Sequence, residues 1–189
     1  MVPEPELVRR RLLAAGAHPG FAGRMTDVRY DRDGELTARG EVLRMRTYHD
    51  GNAARTVIGW KGPVSVSALG LKEREELEYA VESAGFPPGA LLEALRFAPV
   101  QIIERHVECY SLGTTVARLE WYPRMDALIE IEGDLPGIER GIQVTGLPRE
   151  TFSPEPLLAF TDRYAARTGR PAALRIAELG EEMPQWPNR

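Results

Sequence analysis

Two glutamates separated by a single isoleucine could bind a metal ion. In DALIEIEGD, Glu130 and Glu132 alternate with Ile129 and Ile131. If this segment is extended, both carboxylates lie on one face and both isoleucines on the other. Hard divalent cations such as Mg²⁺ and Mn²⁺ prefer carboxylate oxygen ligands. The pair therefore predicts either a metal site or an ordinary solvent-exposed face, since charged side chains usually lie in water.

Charges of both signs repeat at the same spacing elsewhere in the chain. They are Arg44 and Arg46; Lys61; Arg74, Glu76 and Glu78; Arg105; and Arg118 and Glu120. In these segments the alternate positions are apolar, except that Val107 and Cys109 share the parity of Arg105. Burying this many ions is unfavourable unless they pair with one another or with a charged ligand. The pattern favours a closed sheet whose polar interior binds a multiply charged anion together with a cation.

The elements that would position these charges are mostly strands. Alternation and turn residues predict strands at 26–31, within 35–48, and at 54–61, 100–110, 114–122 and 127–133. Turns at 33–34 and 49–52 favour antiparallel pairing. Helical spacing predicts helices at 6–17, 87–97 and 153–168, the last with Ser153 as N-cap, and residues 177–189 are expected to pack loosely. For 72–83, composition favours a helix and charge spacing favours a strand.

Composition narrows the class of protein. The chain has 189 residues, the length of one domain, with 43% hydrophobic residues and a net charge of −4. This charge disfavours a duplex nucleic acid as partner, because such binding needs a basic surface. A single cysteine, Cys109, excludes an internal disulfide and fits a cytoplasmic location. Since no apolar run approaches the ~18 residues of a membrane span, no membrane association is predicted.

Seven short pieces of sequence, in order, resemble one known family. They are DVRYD (27–31), LRMR (43–46), WKGP (60–63), REELE (74–78), Arg105 of a K-x-R pair, Leu119-Glu120 in place of Leu-Asp, and EIEG (130–133). In these pieces the chain resembles the CYTH family, the triphosphate tunnel metalloenzymes, and within it the class IV adenylate cyclase-like branch. The resemblance covers roughly residues 26–134.

The resemblance implies an α+β fold: a closed or nearly closed antiparallel β-barrel with helices packed outside. It implies one domain over 1–189, with a barrel core at about 24–134 and a C-terminal helical extension at about 150–189. It also implies that 72–83 is a strand. The expected ligand is a small-molecule triphosphate or polyphosphate with Mg²⁺ or Mn²⁺. The oligomeric state, including a homodimer, is left open.

The resemblance also implies roles for individual residues. Phosphate binding falls to Arg44, Arg46, Lys61, Arg105 and Arg118; metal binding to Glu130, Glu132 and Glu120; and catalysis to Lys61, Glu76 and Glu78. The implied activity is that of a metal-dependent phosphohydrolase or an adenylyl cyclase-like enzyme. Its substrate would be inorganic, nucleoside or thiamine triphosphate.

One part of the family pattern is not matched. The family has a first strand with Glu-x-Glu-x-Lys, whereas here Glu4 and Glu6 are flanked by Pro3 and Pro5 and no lysine follows at the required place. Proline removes ladder donors from a central strand. The alternative function is therefore a catalytically decayed triphosphate- or polyphosphate-binding module that lacks the first-strand metal ligands.

Overall fold

The computed structural model describes residues 1–51, 53–66, 72–82 and 87–187. The helices are α1 (Pro5–Ala14), α2 (Glu35–Ala38), α3 (Ala90–Ala94), α4 (Leu135–Thr145) and α5 (Leu157–Thr168). The strands are β1 (His18–Asp31), β2 (Val42–Asp50), β3 (Ala53–Lys61), β4 (Ser65–Val66), β5 (Lys72–Glu73), β6 (Glu76–Val81), β7 (Ala98–Leu112), β8 (Thr115–Trp121) and β9 (Leu128–Glu132). Two 3-10 turns span Arg149–Thr151 and Ile176–Glu178.

Seven strands form one antiparallel sheet in the order β6-β3-β2-β1-β7-β8-β9, and β4 pairs separately with β5. The predicted α+β class with an antiparallel sheet is confirmed. The prediction allowed a closed or a nearly closed barrel. The strand order ends at β6 on one side and at β9 on the other, so the sheet is not closed, which is consistent with the nearly closed form. The resemblance implied one strand over 72–83. The described part of this segment is not helical but contains two strands, β5 and β6, in different sheets. Asn52 and Ser83 lie outside the described residues.

The chain divides into two compact units. The first contains Met1–Arg24 and Arg105–Arg189, and the second contains Met25–Glu104. Strands β1 and β7 each contribute residues to both units. The single-domain organisation stays a prediction.

In the first unit, α1 covers the apolar side of β7 and β8. Val8 and Leu12, four residues apart, are buried in one cluster with Leu119 and Trp121. Helix α1 ends earlier than the predicted 6–17, at Ala14, and Leu13 near its end is 44% exposed. The N-terminal glutamates therefore belong to a helix start, with Glu4 as its N-cap residue, and not to a strand.

Helix α4 was not predicted. Its start is capped by Asp134, which accepts a hydrogen bond from the Gly137 amide at 2.9 Å, and it ends at Gly146 with φ 67°. Gly141 packs closely on Ile131 of β9: a Cβ atom at position 141 would lie 2.9 Å from the Ile131 side chain. Glycines thus allow close helix–strand packing while they weaken the helical pattern in the sequence.

In the second unit, a smaller core lies on one side of the sheet. Met45 of β2, Tyr30 of β1 and Leu92 of α3 are buried together, with Ile58 of β3 packed against them. Asp31, at the end of β1, accepts hydrogen bonds from the amides of Leu36 and Thr37 and from the Thr37 hydroxyl. Residues 35–38 therefore form α2, and the strand predicted within 35–48 is β2, which begins at Val42.

The C-terminal region differs from prediction in two ways. Helix α5 begins at Leu157, so Ser153 is not its N-cap; the Ser153 hydroxyl instead accepts a hydrogen bond from the Glu155 amide. The segment after α5 packs on the first unit, contrary to the loose tail that was predicted: Leu179 is buried and Trp186 contacts the apolar cluster. Asn188 and Arg189 lie outside the described residues.

Within the described residues, no helix has the length and apolar character needed to cross a membrane.

Candidate functional site

The side chains of Arg44, Arg46 and Lys61 lie on one face of the sheet in the second unit, which we call the cationic face. In the register of β2 and β3, Arg44 is opposite Gly59 and Arg46 is opposite Val57. Residues directly opposite one another in an antiparallel pair project to the same side. Lys61 therefore shares this side with both arginines, as the sequence predicted.

Strand β6 adds two acids to the cationic face. Glu76 is opposite Lys61, and Glu78 is opposite Gly59. Lys61 forms an ion pair with Glu76, whose side chain is 44% exposed. The Arg44 side chain passes close to Gly59: a Cβ atom at Gly59 would lie 3.7 Å from Arg44 Nε, an ordinary van der Waals contact. The three residues with predicted catalytic roles are therefore adjacent, and Arg44 lies across β3 beside them.

The arginines of the cationic face are buried and share one carboxylate. Arg46 Nε donates to Asp27 Oδ2 at 3.1 Å, and Arg44 Nη1 lies 3.8 Å from the same oxygen. All three side chains are buried. Burial lowers the pKa of Arg44 to about 10, and the charge of Arg46 adds to this, while Asp27 opposes it.

The pKa of Lys61 is lowered in the same way as that of Arg44. Burial lowers its pKa, and the charge of Arg44 lowers it further, against the opposing effect of Glu76. A depressed pKa on a cation means that its surroundings disfavour the charged form. Negative charge added near Arg44 and Lys61 would therefore favour their charged forms.

In the first unit, four charged residues on β8 and β9 form a second group, which we call the acidic cluster: Arg118, Glu120, Glu130 and Glu132. Arg118 Nη1 donates to Glu130 at 2.6 Å, and Nη2 donates to Glu132 at 3.2 Å. Arg118 also lies 4.0 Å from Glu120. Burial alone would lower the pKa of Arg118, but the three carboxylates outweigh it and raise the pKa well above its ordinary value.

Arg105 and Glu120 are held by a residue that the sequence did not indicate. Arg105 Nη1 donates to Glu120 at 3.0 Å and to the Tyr122 hydroxyl at 3.2 Å, and this hydroxyl donates to Glu120 at 2.6 Å. All three side chains are buried. Burial, followed by the charge of Glu120, raises the pKa of Tyr122 well above its ordinary value. Tyr122 therefore stays a neutral hydroxyl that fixes both charged partners.

The acidic cluster meets the requirements of a divalent cation only in part. Among the residues the structure describes, no three His, Cys, Asp or Glu side chains lie close enough to hold a metal ion by themselves. Mg²⁺, however, is commonly held by one or two carboxylates together with substrate phosphates and water. Glu130 and Glu132, at 48% and 46% exposure, fit this smaller requirement. Glu120, the predicted third ligand, is buried against Arg105 and Tyr122.

Two residues near the cationic face were missing from the predicted site. Asp27 shares its carboxylate with both arginines, and its place in DVRYD could have indicated this. Arg74 has two buried guanidinium nitrogens, Nε and Nη2, without a hydrogen-bond partner. Burial lowers the pKa of Arg74, and the nearby charge of Arg29 adds to this while Glu76 opposes it. The sequence REELE shows that Arg74 lies two positions before Glu76, but it does not show that the Arg74 guanidinium is buried.

Comparison with known proteins gives structural matches without sequence matches. No family model matches this chain, and no curated protein sequence matches it. A putative adenylate cyclase from Vibrio parahaemolyticus is similar with TM-score 0.68 and 15% identity over 85% of this chain and 93% of that chain. The PH1819 protein from Pyrococcus horikoshii gives 0.65 and 16% over 87% and 94%.

A third similar structure is the putative adenylyl cyclase HpAC1 from Hippeastrum, described as revealing a dominant triphosphatase activity. Its TM-score is 0.58 and its identity 19% over 92% of this chain and 95% of that chain. At such identities the likeness shows that this chain has the same fold as these proteins.

Proposed function

We propose that the protein belongs to the CYTH family, in its class IV adenylate cyclase-like branch, and acts on a triphosphate with the help of a divalent cation. The observation that carries this proposal is the cationic face: Arg44 and Arg46 are buried on one carboxylate, and the pKa values of Arg44 and Lys61 are lowered. A triphosphate carries concentrated negative charge, which would stabilise the charged forms of Arg44 and Lys61. The fold shared with a putative adenylate cyclase and with HpAC1 supports the proposal.

Phosphate binding in the second unit is assigned to Arg44, Arg46 and Lys61. A guanidinium offers a planar fork of donors that matches phosphate oxygens, whereas an ammonium acts as a compact point charge. Lys61 would stabilise negative charge that develops on phosphate oxygens as the bond to phosphorus breaks. Glu76 and Glu78 would orient the attacking water or hydroxyl from the same face.

In the first unit, Glu130 and Glu132 are assigned the binding of Mg²⁺ or Mn²⁺, and Arg105 and Arg118 the binding of phosphate. A bound divalent cation would supply charge neutralisation and polarise a phosphoryl oxygen. Because Glu120 contacts Arg105 and Tyr122, we assign it to positioning Arg105 and revise its predicted place among the metal ligands.

The test is release of phosphate or pyrophosphate from tripolyphosphate, ATP and thiamine triphosphate with Mg²⁺ or Mn²⁺. Hydrolysis of at least one is expected, and cyclic nucleotide formation from ATP would identify the cyclase alternative. Arg44→Gln should lower triphosphate affinity tenfold or more, since hydrogen bonds to charged groups contribute about 1.5–3 kcal/mol. Arg39→Gln is the matched control, because Arg39 is exposed and pairs only with its neighbour Glu41 among its described contacts. Absence of both turnover and binding would reject the proposal.

The second candidate function is a triphosphate- or polyphosphate-binding module without turnover. It is favoured by the engagement of Glu130 and Glu132 with Arg118 and by the absence of a three-ligand cluster among the described residues. Calorimetry that shows tight tripolyphosphate binding, with no product released under any metal condition, would select this candidate.

The cytoplasmic location, and the absence of duplex nucleic-acid and membrane partners, stay predictions.

A further inference from the structure

We infer that Arg118 is an internal stand-in for the divalent cation: it neutralises Glu130 and Glu132 until they bind metal, and is then released to bind phosphate. This inference rests on the proposed function. Its basis is the hydrogen bonding of one guanidinium to both carboxylates, at 2.6 and 3.2 Å. A cation with two oxygen ligands from these glutamates would take the position that the guanidinium now holds.

The exchange requires that the two glutamates be accessible to a cation from solvent and that Arg118 be buried. Glu130 and Glu132 are 48% and 46% exposed, so a hydrated cation can reach them from solvent, whereas Arg118 is only 9% exposed. The carboxylates are therefore accessible to a competitor, while the guanidinium is not freely solvated if it loses them.

Once separated from the two glutamates, Arg118 would be poorly compensated. Its remaining described carboxylate neighbour is Glu120, at 4.0 Å, and that carboxylate already accepts hydrogen bonds from Arg105 and Tyr122. The Arg118 Nε atom is buried and has no hydrogen-bond partner. Leaving a buried charge without a partner is strongly unfavourable. An incoming phosphate oxygen would restore the lost contacts.

The consequence is a reciprocal coupling between metal and triphosphate. Occupation of the carboxylates by metal makes Arg118 available to the anion, and by linkage the anion strengthens metal binding. Without metal, a triphosphate has to compete with Glu130 and Glu132 for the same guanidinium.

The experiment removes each side of the ion pair in turn. Mn²⁺ alone, and tripolyphosphate in EDTA, are titrated by calorimetry into the wild type, Arg118→Gln, the double variant Glu130→Gln/Glu132→Gln, and the triple variant with all three changes. Glu139→Gln is the matched control, because Glu139 forms an exposed ion pair with Arg149 at 3.1 Å in the same unit. Circular dichroism melts establish that each variant is folded.

Three results are expected. Arg118→Gln binds Mn²⁺ about tenfold more tightly than the wild type, a difference of ~1.4 kcal/mol, because the competing cation is gone. The double variant binds tripolyphosphate in EDTA about tenfold more tightly, because Arg118 is released. The triple variant loses this gain, and the control behaves as the wild type.

The triple variant separates this inference from simple repulsion. If the gain in tripolyphosphate affinity persists without Arg118, it comes from removal of negative charge alone, and the inference is wrong while the proposed function stands. If the wild type binds no tripolyphosphate with or without Mn²⁺, the proposed function itself fails. Should the double variant not fold, Glu130→Gln alone serves, because it retains the bond between Arg118 and Glu132 and should give an intermediate gain.

Discussion

The buried carboxylate of Glu108 offers a quantitative test of how α1 is attached to the sheet. Arg9 of α1 donates to Glu108 on β7 at 2.5 and 2.8 Å, and the Tyr110 hydroxyl donates at 2.8 Å. His106 Nε2 lies 3.9 Å from Glu108 Oε1, beyond hydrogen-bond distance. Burial would raise the pKa of Glu108, but these surrounding groups lower it from its ordinary 4.5 to about 2.

The size of the effect follows from that shift. At about 1.4 kcal/mol per pKa unit, the charged form of Glu108 contributes about 3 kcal/mol to the free energy of unfolding near neutral pH. Because the pKa is lower in the folded protein than in the unfolded chain, this contribution is complete above pH 4.5. It is lost as the pH falls from 4.5 towards 2.

The perturbation is Glu108→Gln, and the assay is urea unfolding at pH 7 together with thermal melts between pH 7 and 2.5. The variant should lose about 3 kcal/mol at pH 7, and its difference from the wild type should shrink below pH 4.5. Glu6→Gln is the control, since Glu6 pairs with the same Arg9 but is 62% exposed. Exposed pairs contribute ~1 kcal/mol or less. Equal losses in the two variants, or a difference that does not depend on pH, would refute the reasoning.

Three further predictions concern the site and its supports. Gly59→Val should displace Arg44 and weaken tripolyphosphate binding, measured by calorimetry, about tenfold. Gly59→Ala should bind normally, because its Cβ atom would lie 3.6 Å from the nearest described atom. Tyr122→Phe removes a hydroxyl 2.6 Å from Glu120 and should cost about 1–3 kcal/mol in urea unfolding; an unchanged midpoint would contradict the buried network. Asp31→Asn should melt at a lower temperature than the wild type at pH 7, and the difference should vanish as pH falls from 3.8 to about 2, because hydrogen bonds from Thr37 and nearby amides lower the pKa of Asp31. A difference that persists at the lowest pH would count against this explanation.

Strand identity and the shared faces were accessible from sequence because alternation is a local property. The parity of Arg44 and Arg46, and of Glu130 and Glu132, places each pair on one side of its strand whatever the partner strand is. Which acid meets which base depends on register, which a single sequence does not fix. The bridging of Glu130 and Glu132 by Arg118 is such a case.

The missed features share a different cause, which is that tertiary contacts override local pattern. Helix α4 contains Gly137 and Gly141, which suit its close approach to β9 but weaken a helix in isolation. Strand β7 carries Glu108 on the side that packs on α1, and its partly buried ion pair with Arg9 spans 99 positions in sequence. No local rule connects residues so far apart.

The C-terminal segment has a consequence for shortened forms of the protein. Arg124 and Ala173 exchange backbone hydrogen bonds at 3.2 and 2.8 Å, and the Arg124 side chain donates to the Pro171 carbonyl at 3.1 Å. Trimming the chain before Pro171 would remove both the Pro171 carbonyl and Glu182, which pairs with Arg124 at 3.3 Å, and would remove Trp186 from the apolar cluster on which it packs. The described residues 171–187 thus help to stabilise the first unit, and a deletion within them should lower its free energy of unfolding.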